Sequence, residues 1–341
     1  MNILFDINHP VDVNFFKNAM LQLKKDGHKL HIIFRGRGKL EKILRYELSE
    51  FPITQIGEHS RGFLKKVITQ LNRDYNIIPY LKKNKFDLVV CFGPTSAISA
   101  WVSHKPYLAF DDDIEYRLPF YHANLFSTRH IFPDFIKFSN SKTHKYHGFK
   151  ELAYLHPNYL KISDEILNDY SLKENMYVFI REISAISLNY KERNSILDQI
   201  IDTIKNRGLS VVLSLENKEL HQVYTEAGCV VLQEPVRDIY SLMYHALFSV
   251  SSGDTVARET SLLGLPTLYT GGRNMAVNTA LIEAGALHAL TDTDIIINWI
   301  NKITDEDKMK CRQRIFNLIN NKWEDTTSII LNQISDFEKL N

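Results

Sequence analysis

Three cysteines in 341 residues, Cys91, Cys229 and Cys311, leave no basis for a disulfide framework. They are odd in number and far apart, and no CxxC pair suggests zinc. Two of them follow or sit inside apolar, strand-like runs, so buried reduced thiols are expected. Long hydrophobic runs are also missing: none approaches the roughly 18 residues needed to span a bilayer. The N-terminus, Met1-Asn2-Ile3-Leu4-Phe5-Asp6, turns acidic too soon for a signal peptide, so a cytoplasmic protein is expected. There is no charge excess of either sign. Lys and Arg number 41 against 40 Asp and Glu, a formal net charge of +1, which argues against a dedicated nucleic-acid binder. No short repeat of 20–50 residues is found. At 44% apolar and 24% charged residues, wholesale disorder is excluded.

What is present is a β-α-β-α rhythm that runs through the chain twice. In the first half, Asn2–Asp6, Lys29–Phe34, Asp87–Phe92 and Tyr107–Phe110 read as strands. Helices are expected at Val11–Lys25, near Leu40–Leu48, near Leu64–Lys83 and from about Thr95 to Ser103. In the second half, strands are expected at Tyr177–Arg181, Ser210–Leu215, Cys229–Leu232, Leu247–Val250, Thr267–Tyr269 and Leu287–Leu290. A charged helical tail from about Asp305 to Lys339 follows them. Such alternation calls for parallel sheets covered by helices on both faces. The length suits two domains, placed at 1–150 and 151–341, with the junction near Lys145–His156. Two such domains would turn the C-terminal ends of their strands toward a shared cleft, where ligands are expected.

The most informative segment is Ser251-Ser252-Gly253-Asp254-Thr255-Val256-Ala257-Arg258-Glu259, between an apolar strand and a helix that Gly264 and Pro266 end. A small glycine turn there lets backbone N–H groups and the helix dipole face an anion. Glu259 falls about one turn inside the helix, and helical side chains lean back toward the N-terminus. Its carboxylate could accept hydrogen bonds from two adjacent hydroxyls of a ribose while the helix start holds a phosphate. The plainer account is a capped helix with a surface glutamate. Arg258 is expected in a structural ion pair or facing solvent.

Other groups sit where strands end. Asp6, His9 and Asp12 close the first strand and open the first helix. His9, with Asp12 as its substitute, could be the base that takes a proton from an attacking hydroxyl. Pro10 and Asp12 also suit a helix start for purely structural reasons. Asp111-Asp112-Asp113 and Glu115 form an acidic loop after a strand. It could bind Mg²⁺ or Mn²⁺, supply Asp113 or Glu115 for acid–base chemistry, or simply cap the next helix. Arg181-Glu182, before Ile183-Ser184-Ala185, could neutralise a diphosphate leaving group without a metal, or form an interdomain salt bridge. Arg35-Gly36-Arg37-Gly38 could hold an anionic acceptor, or be a surface loop. Arg61-Gly62-Phe63-Leu64-Lys65-Lys66-Val67-Ile68-Thr69-Gln70-Leu71 mixes bases with bulky apolar residues at helical spacing. A core-facing amphipathic helix explains it most cheaply, and a surface for a lipid-linked acceptor is the alternative.

The layout resembles the GT-B superfamily, α/β proteins with two Rossmann-like doubly wound domains. It includes non-hydrolysing UDP-N-acetylglucosamine 2-epimerases and many nucleotide-sugar glycosyltransferases. Within it, the chain is most similar to the domain of unknown function family 354. The matching blocks are Asp6 through Phe16, Phe110 through Glu115, Tyr146 through Leu155, Arg181-Glu182, Gly253 through Glu259 and Gly264-Leu265-Pro266. The resemblance implies a nucleotide on the C-terminal domain, with Glu259 on the ribose hydroxyls and the Ser252–Thr255 turn on the diphosphate. It implies an acceptor, or the reacting sugar, on the N-terminal domain. Where relatives commonly have a small neutral residue this chain has Asp254, which is expected to turn away and cap the helix.

Together these readings predict a glycosyltransferase taking a sugar from a nucleotide-diphosphate sugar, with no metal or other cofactor. The acceptor would be a saccharide or lipid-linked component of a surface polysaccharide or glycolipid, reached through peripheral contact with the inner face of the cell membrane. The rival readings are a sugar-nucleotide 2-epimerase and a catalytically silent sugar-nucleotide binder.

Overall fold

The computed structural model describes residues 1–60, 62–182, 190–233 and 235–340. The chain divides into two units, Met1–Tyr159 with Trp323–Asn341, and Leu160–Lys322. The first carries β1 (Asn2–Ile7), β2 (Lys29–Gly36), β3 (Ile53–Glu58), β4 (Leu88–Phe92), β5 (Tyr107–Phe110), β6 (Arg129–Pro133) and β7 (Thr143–Tyr146) in the order β3-β2-β1-β4-β5-β6-β7. The second carries β8 (Tyr177–Glu182), β9 (Ser210–Leu215), β10 (Val230–Val231), β11 (Ser249–Ser251), β12 (Thr267–Tyr269) and β13 (Leu287–Ala289) in the order β10-β9-β8-β11-β12-β13.

Every pairing within both sheets is parallel. The sequence dictates this through unbroken apolar strands, which suit a sheet covered on both faces. Ile3, Leu4, Phe5 and Ile7 of β1 are fully buried, as are Val178 and Phe179 of β8. In the first unit Phe15 and Phe16 of the helix Pro10–Lys25 pack edge-on against Phe5, Phe92 and Phe110. In the second, Ile200, Ile204, Ile296 and Ile300 from two helices cover Val178, Val211 and Leu213. All three cysteines are free and buried.

Strand order reverses beside β1 in one unit, between β1 and β4, and beside β8 in the other, between β8 and β11. These are the switch points where ligands bind in doubly wound sheets.

Three strands differ from expectation. β3 is an edge strand with only Ile56 buried and a left-handed Gly57, so it lacks the apolar run that marks the others. β6 and β7 interleave charged and ring residues with apolar ones, which hid them.

The expected division at residue 150 is corrected, and so is the single helical tail. Chain connectivity crosses at Tyr159/Leu160 and returns at Lys322/Trp323. The tail is two helices, Asp305–Asn321 in the second unit and Thr326–Leu340 in the first. Between them, Trp323 packs on Phe149 at 4.8 Å, and Glu324 N–H donates to the His147 carbonyl at 2.8 Å. The hydroxyls of Thr326 and Thr327 donate to the carbonyls of Phe149 and Ala153. Ile330 and Ile334 are fully buried. His147 thus anchors the returning chain.

Candidate functional site

At the first switch point the end of β1 is locked from below. Asp6 is fully buried, and Arg73, from the helix Phe63–Asn84, meets it with both terminal nitrogens at 2.9 and 2.5 Å. Arg73 Nε also donates to the Ile56 carbonyl at 2.8 Å. Thr95 and Ser96 donate their hydroxyls to the same carboxylate, and Asn8 donates to it at 3.0 Å. Asp6 therefore fixes the loop and does not present itself to a ligand.

The next residues open the helix Pro10–Lys25. His9 is its N-cap, with Nδ1 accepting from Val11 N–H at 3.4 Å, and Pro10 is its first residue. Asp12 completes a capping box, its Oδ2 accepting from the N–H groups of Asn8 and His9 at 3.1 and 2.9 Å. Burial pushes the Asp12 carboxyl up to about 7, against the pull of the Asn8 N–H and the Lys150 charge. His9 moves the other way. Desolvation of its ring, then the positive charges of Arg37 and Lys150, lower it to about 4. Near neutrality the ring is uncharged. With Nδ1 accepting from Val11, the proton sits on Nε2.

The acidic loop is neither a helix cap nor an open cluster. Asp111 Oδ1 accepts from the N–H groups of Asp112 and Asp113, and its Oδ2 lies 3.6 Å from His130 Nε2. Burial raises the Asp111 carboxyl, and His130 partly offsets it. Asp112 is buried in an ion pair with Lys150 at 2.8 Å, and Lys150 Nζ also stands 5.1 Å over the Phe92 ring. Asp113 accepts from Glu115 N–H at 2.7 Å, and Glu115 is exposed. The following helix, Arg117–Phe126, begins after Tyr116 with no side-chain cap. Among the described residues no group of three or more His, Cys, Asp or Glu is arranged to hold a metal. Lys150 is the residue of this region to which sequence reasoning gave no role. Its only signal was its place in the Tyr146–Leu155 block.

At the second switch point β11 ends in a turn that opens the helix Asp254–Leu262. The N-cap is Gly253, which offers no side chain to the first-turn N–H groups. The expectation that Asp254 caps this helix is corrected. Asp254 is the first helical residue, and its carboxylate is held by the Tyr269 hydroxyl and by Arg273 Nη1, the latter at 2.7 Å. Burial, then the bond to Asp254, pushes the Tyr269 phenol up to about 12, so it stays a donor. Ser252 N–H donates to the Arg181 carbonyl at 3.0 Å, tying the turn to the end of β8. Ser251 Oγ both donates to the Gly253 carbonyl and accepts from its N–H. Ser252 and Thr255 are half-buried on this turn.

Arg181 reaches across β9 to Ser214 Oγ and Glu216 Oε1, both at 2.9 Å. Both of these partners lie within the second unit. Ile183-Ser184-Ala185 lies outside the described residues. Arg258 is buried, not solvent-facing, with Nη1 3.6 Å from the Met275 sulfur. Glu259 is only 6% exposed, and the Tyr240 hydroxyl donates to its Oε1 at 3.3 Å. Tyr240, Tyr269 and Arg273 were missed. The Gly271-Gly272-Arg273 turn after β12 carried the same signal as Arg35–Gly38 and was readable.

Gly271 is fixed by close approach. A Cβ there would lie 2.4 Å from the Ser252 carbonyl and 2.5 Å from the Tyr269 hydroxyl. Gly271→Ala is expected to cost about 1–3 kcal/mol by overpacking. It should show as a melting temperature several degrees lower, and an unchanged melt would mean that the turn yields freely.

Over 359 aligned residues the chain is 22% identical to the uncharacterized protein MJ0665 of Methanocaldococcus jannaschii, covering 99% of each. Among solved structures it is similar to UDP-GlcNAc 2-epimerase from Neisseria meningitidis bound to UDP-GlcNAc, with a TM-score of 0.70 and 14% identity over 100% of both chains. It is also similar to MurG of Acinetobacter baumannii, with a TM-score of 0.63 and 11% identity over 98% of this chain and 100% of that one. The fold is the GT-B kind, two parallel-sheet α/β units. The model of the family described as "Protein of unknown function (DUF354)" matches residues 1–96 and 132–339, and the chain belongs to that family.

Proposed function

We propose that this protein binds a nucleoside-diphosphate sugar on its second unit and transfers the glycosyl group to a saccharide or lipid-linked acceptor. The observation that carries the reading is the helix Asp254–Leu262, whose N-terminus opens at a switch point with a glycine cap and no capping side chain. Its first-turn N–H groups and dipole suit a diphosphate. Asp254, a carboxylate at the helix start that would repel it, is neutralised by Arg273. Arg181 ends the adjacent strand and would share its charge between Glu216 and the phosphates. Glu259, five residues into the helix, is about 7 Å along its axis from the turn. A ribose hydroxyl would take over the bond that Tyr240 now makes.

On the first unit Asp12 is the base. A carboxyl titrating near 7 accepts a proton efficiently at neutral pH. His9, with its proton on Nε2, serves as a hydrogen-bond donor to the acceptor or sugar. Asp113 and Glu115 remain candidates for acid–base work from the loop after β5. No metal enters this scheme, since arginines and the helix start stabilise the departing diphosphate.

A 2-epimerase acting on UDP-GlcNAc is the second reading. It is favoured by the whole-chain likeness to the Neisseria epimerase and by the clustering of Asp12, His9 and the Asp112–Lys150 pair in one unit.

A thermal-shift screen against UDP-, GDP-, CMP- and dTDP-sugars tests the shared core of both readings. One nucleotide class should raise the melting temperature, by about 2.7 kcal/mol of stabilisation at a hundredfold excess over Kd. Glu259→Ala should abolish that rise. No shift with any class, or an undiminished shift in the variant, refutes the site. Incubation with a UDP-sugar alone then separates the reactions. Nucleotide released only with acceptor supports transfer, and an epimer formed without acceptor supports the second reading.

A further inference from the structure

The helices Phe63–Asn84, Ala97–Val102 and Arg117–Phe126 lie side by side on one face of the first sheet. Each buries one side in the core, through Ile77 and Leu81, Ala97 and Ala100, and Phe120 and Ala123. Their outward sides are apolar as well. Ile68 is 57% exposed, Leu71 61%, Tyr75 79%, Trp101 60%, Leu118 78% and Leu125 64%. Spacings of three, four and seven residues put these on one stripe per helix. Trp101 joins two of the stripes by packing on Phe126 at 5.5 Å. The core-facing reading of the Lys65–Leu71 stretch is therefore corrected, while Arg61 lies outside the described residues. So broad an uncovered apolar face marks an interaction surface.

Charge decides what covers it. The exposed charged residues on the three helices are Lys65, Lys66, Lys82, Lys83 and Arg117, all basic. Their only carboxylate, Asp74, is buried and accepts from Ser99 and Gln70. A second copy docked by two-fold symmetry would set these cations against themselves. A bilayer with anionic headgroups would instead pair with the bases while the leucines and tryptophan enter the acyl boundary. We propose that this face is a peripheral membrane-binding surface for anionic lipid. No helix among the described residues is long and apolar enough to cross a membrane, so the contact is interfacial.

Co-sedimentation of the full chain with phosphatidylcholine vesicles, with and without about 30% phosphatidylglycerol, tests this. Binding should require the anionic lipid, weaken with salt, and be lost in L71E/L118E. The variant K65E/K66E, which changes only exposed side chains, should lower vesicle partitioning at least about tenfold while leaving the melting temperature unchanged. Absence of binding to the anionic vesicles overturns the proposal, as does binding that K65E/K66E leaves intact. So does a concentration-dependent dimer, seen by sedimentation velocity, that L71E/L118E abolishes. The assay needs neither donor nor turnover, so its failure is distinguishable from failure of the proposed reaction.

Discussion

Arg73→Ala should unfold the first unit, or leave it barely folded at room temperature. Both partners of the Asp6–Arg73 pair are buried, at 0% and 1% exposure. Removing one strands the other charge without solvent, which typically costs about 3–5 kcal/mol. Total stabilities of native proteins are only about 5–15 kcal/mol. The loss goes further, because Arg73 Nε also satisfies the Ile56 carbonyl of edge strand β3. Burial pulls the Asp6 carboxyl upward, but Arg73, Ser96 and Thr95 together outweigh it and hold it below the usual range. A depressed folded-state pKa adds stability above the unfolded value, and that stability is lost as pH falls through the folded value. Acid should therefore weaken the parent in the same unit that the substitution weakens at neutral pH. Urea titration followed by circular dichroism reads both effects. Asp6→Leu with Arg73→Met should destabilise less than Arg73→Ala alone, since no buried charge is orphaned. A parent-like midpoint for Arg73→Ala would remove the pair from the list of what holds β1 in register.

The pair also shows where sequence reading stops. β1, β2, β4, β5 and most strands of the second unit were legible because each is a nearly unbroken apolar run between polar turns. The half-exposed edge strands β3 and β7 were not, and neither was the largely buried β6, because all three carry mixed residues that a periodicity of two or an apolar run cannot flag. The glycine turn at 251–253 was legible because conformation and chemistry coincide there in consecutive residues. Partners distant in sequence were invisible. Nothing in Phe63–Asn84 announces that Arg73 belongs under Asp6, 67 residues away. Nothing around Lys150 announces that it meets Asp112 and shifts His9. Asp254 was misjudged for the same reason. Aspartate is a good cap in isolation, but Arg273, 19 residues on, holds its carboxylate instead. The return of the last helix to the first unit likewise depends on Trp323, Thr326 and Thr327 meeting Phe149 and Ala153, a pairing over more than 170 residues.

Asp12→Asn should lower turnover by about 10²- to 10⁴-fold while leaving the fold as stable as the parent or more so. The two halves of this expectation come from one observation, a carboxyl raised by burial to about 7. Between about 4 and 7 the folded protein holds a proton on Asp12 that the unfolded chain has released. This group's stabilising share therefore declines as pH rises through that window and is gone above it. Asparagine keeps an acceptor for the Asn8 and His9 N–H groups without the buried charge, so above pH 7 the variant is relieved of that cost. It cannot take a proton. With the donor identified by thermal shift, kcat/KM of the parent should rise with pH, reach half its limit near 7 and level off above it, as the free carboxylate forms. The residual activity of Asp12→Asn should lack that limb. A purely structural cap makes the opposite forecast: stability falls on substitution, and kcat keeps its value and pH profile. Should the variant lose stability and activity together while the acid limb survives in what remains, the base lies elsewhere, with Asp113 and Glu115 the next residues to replace.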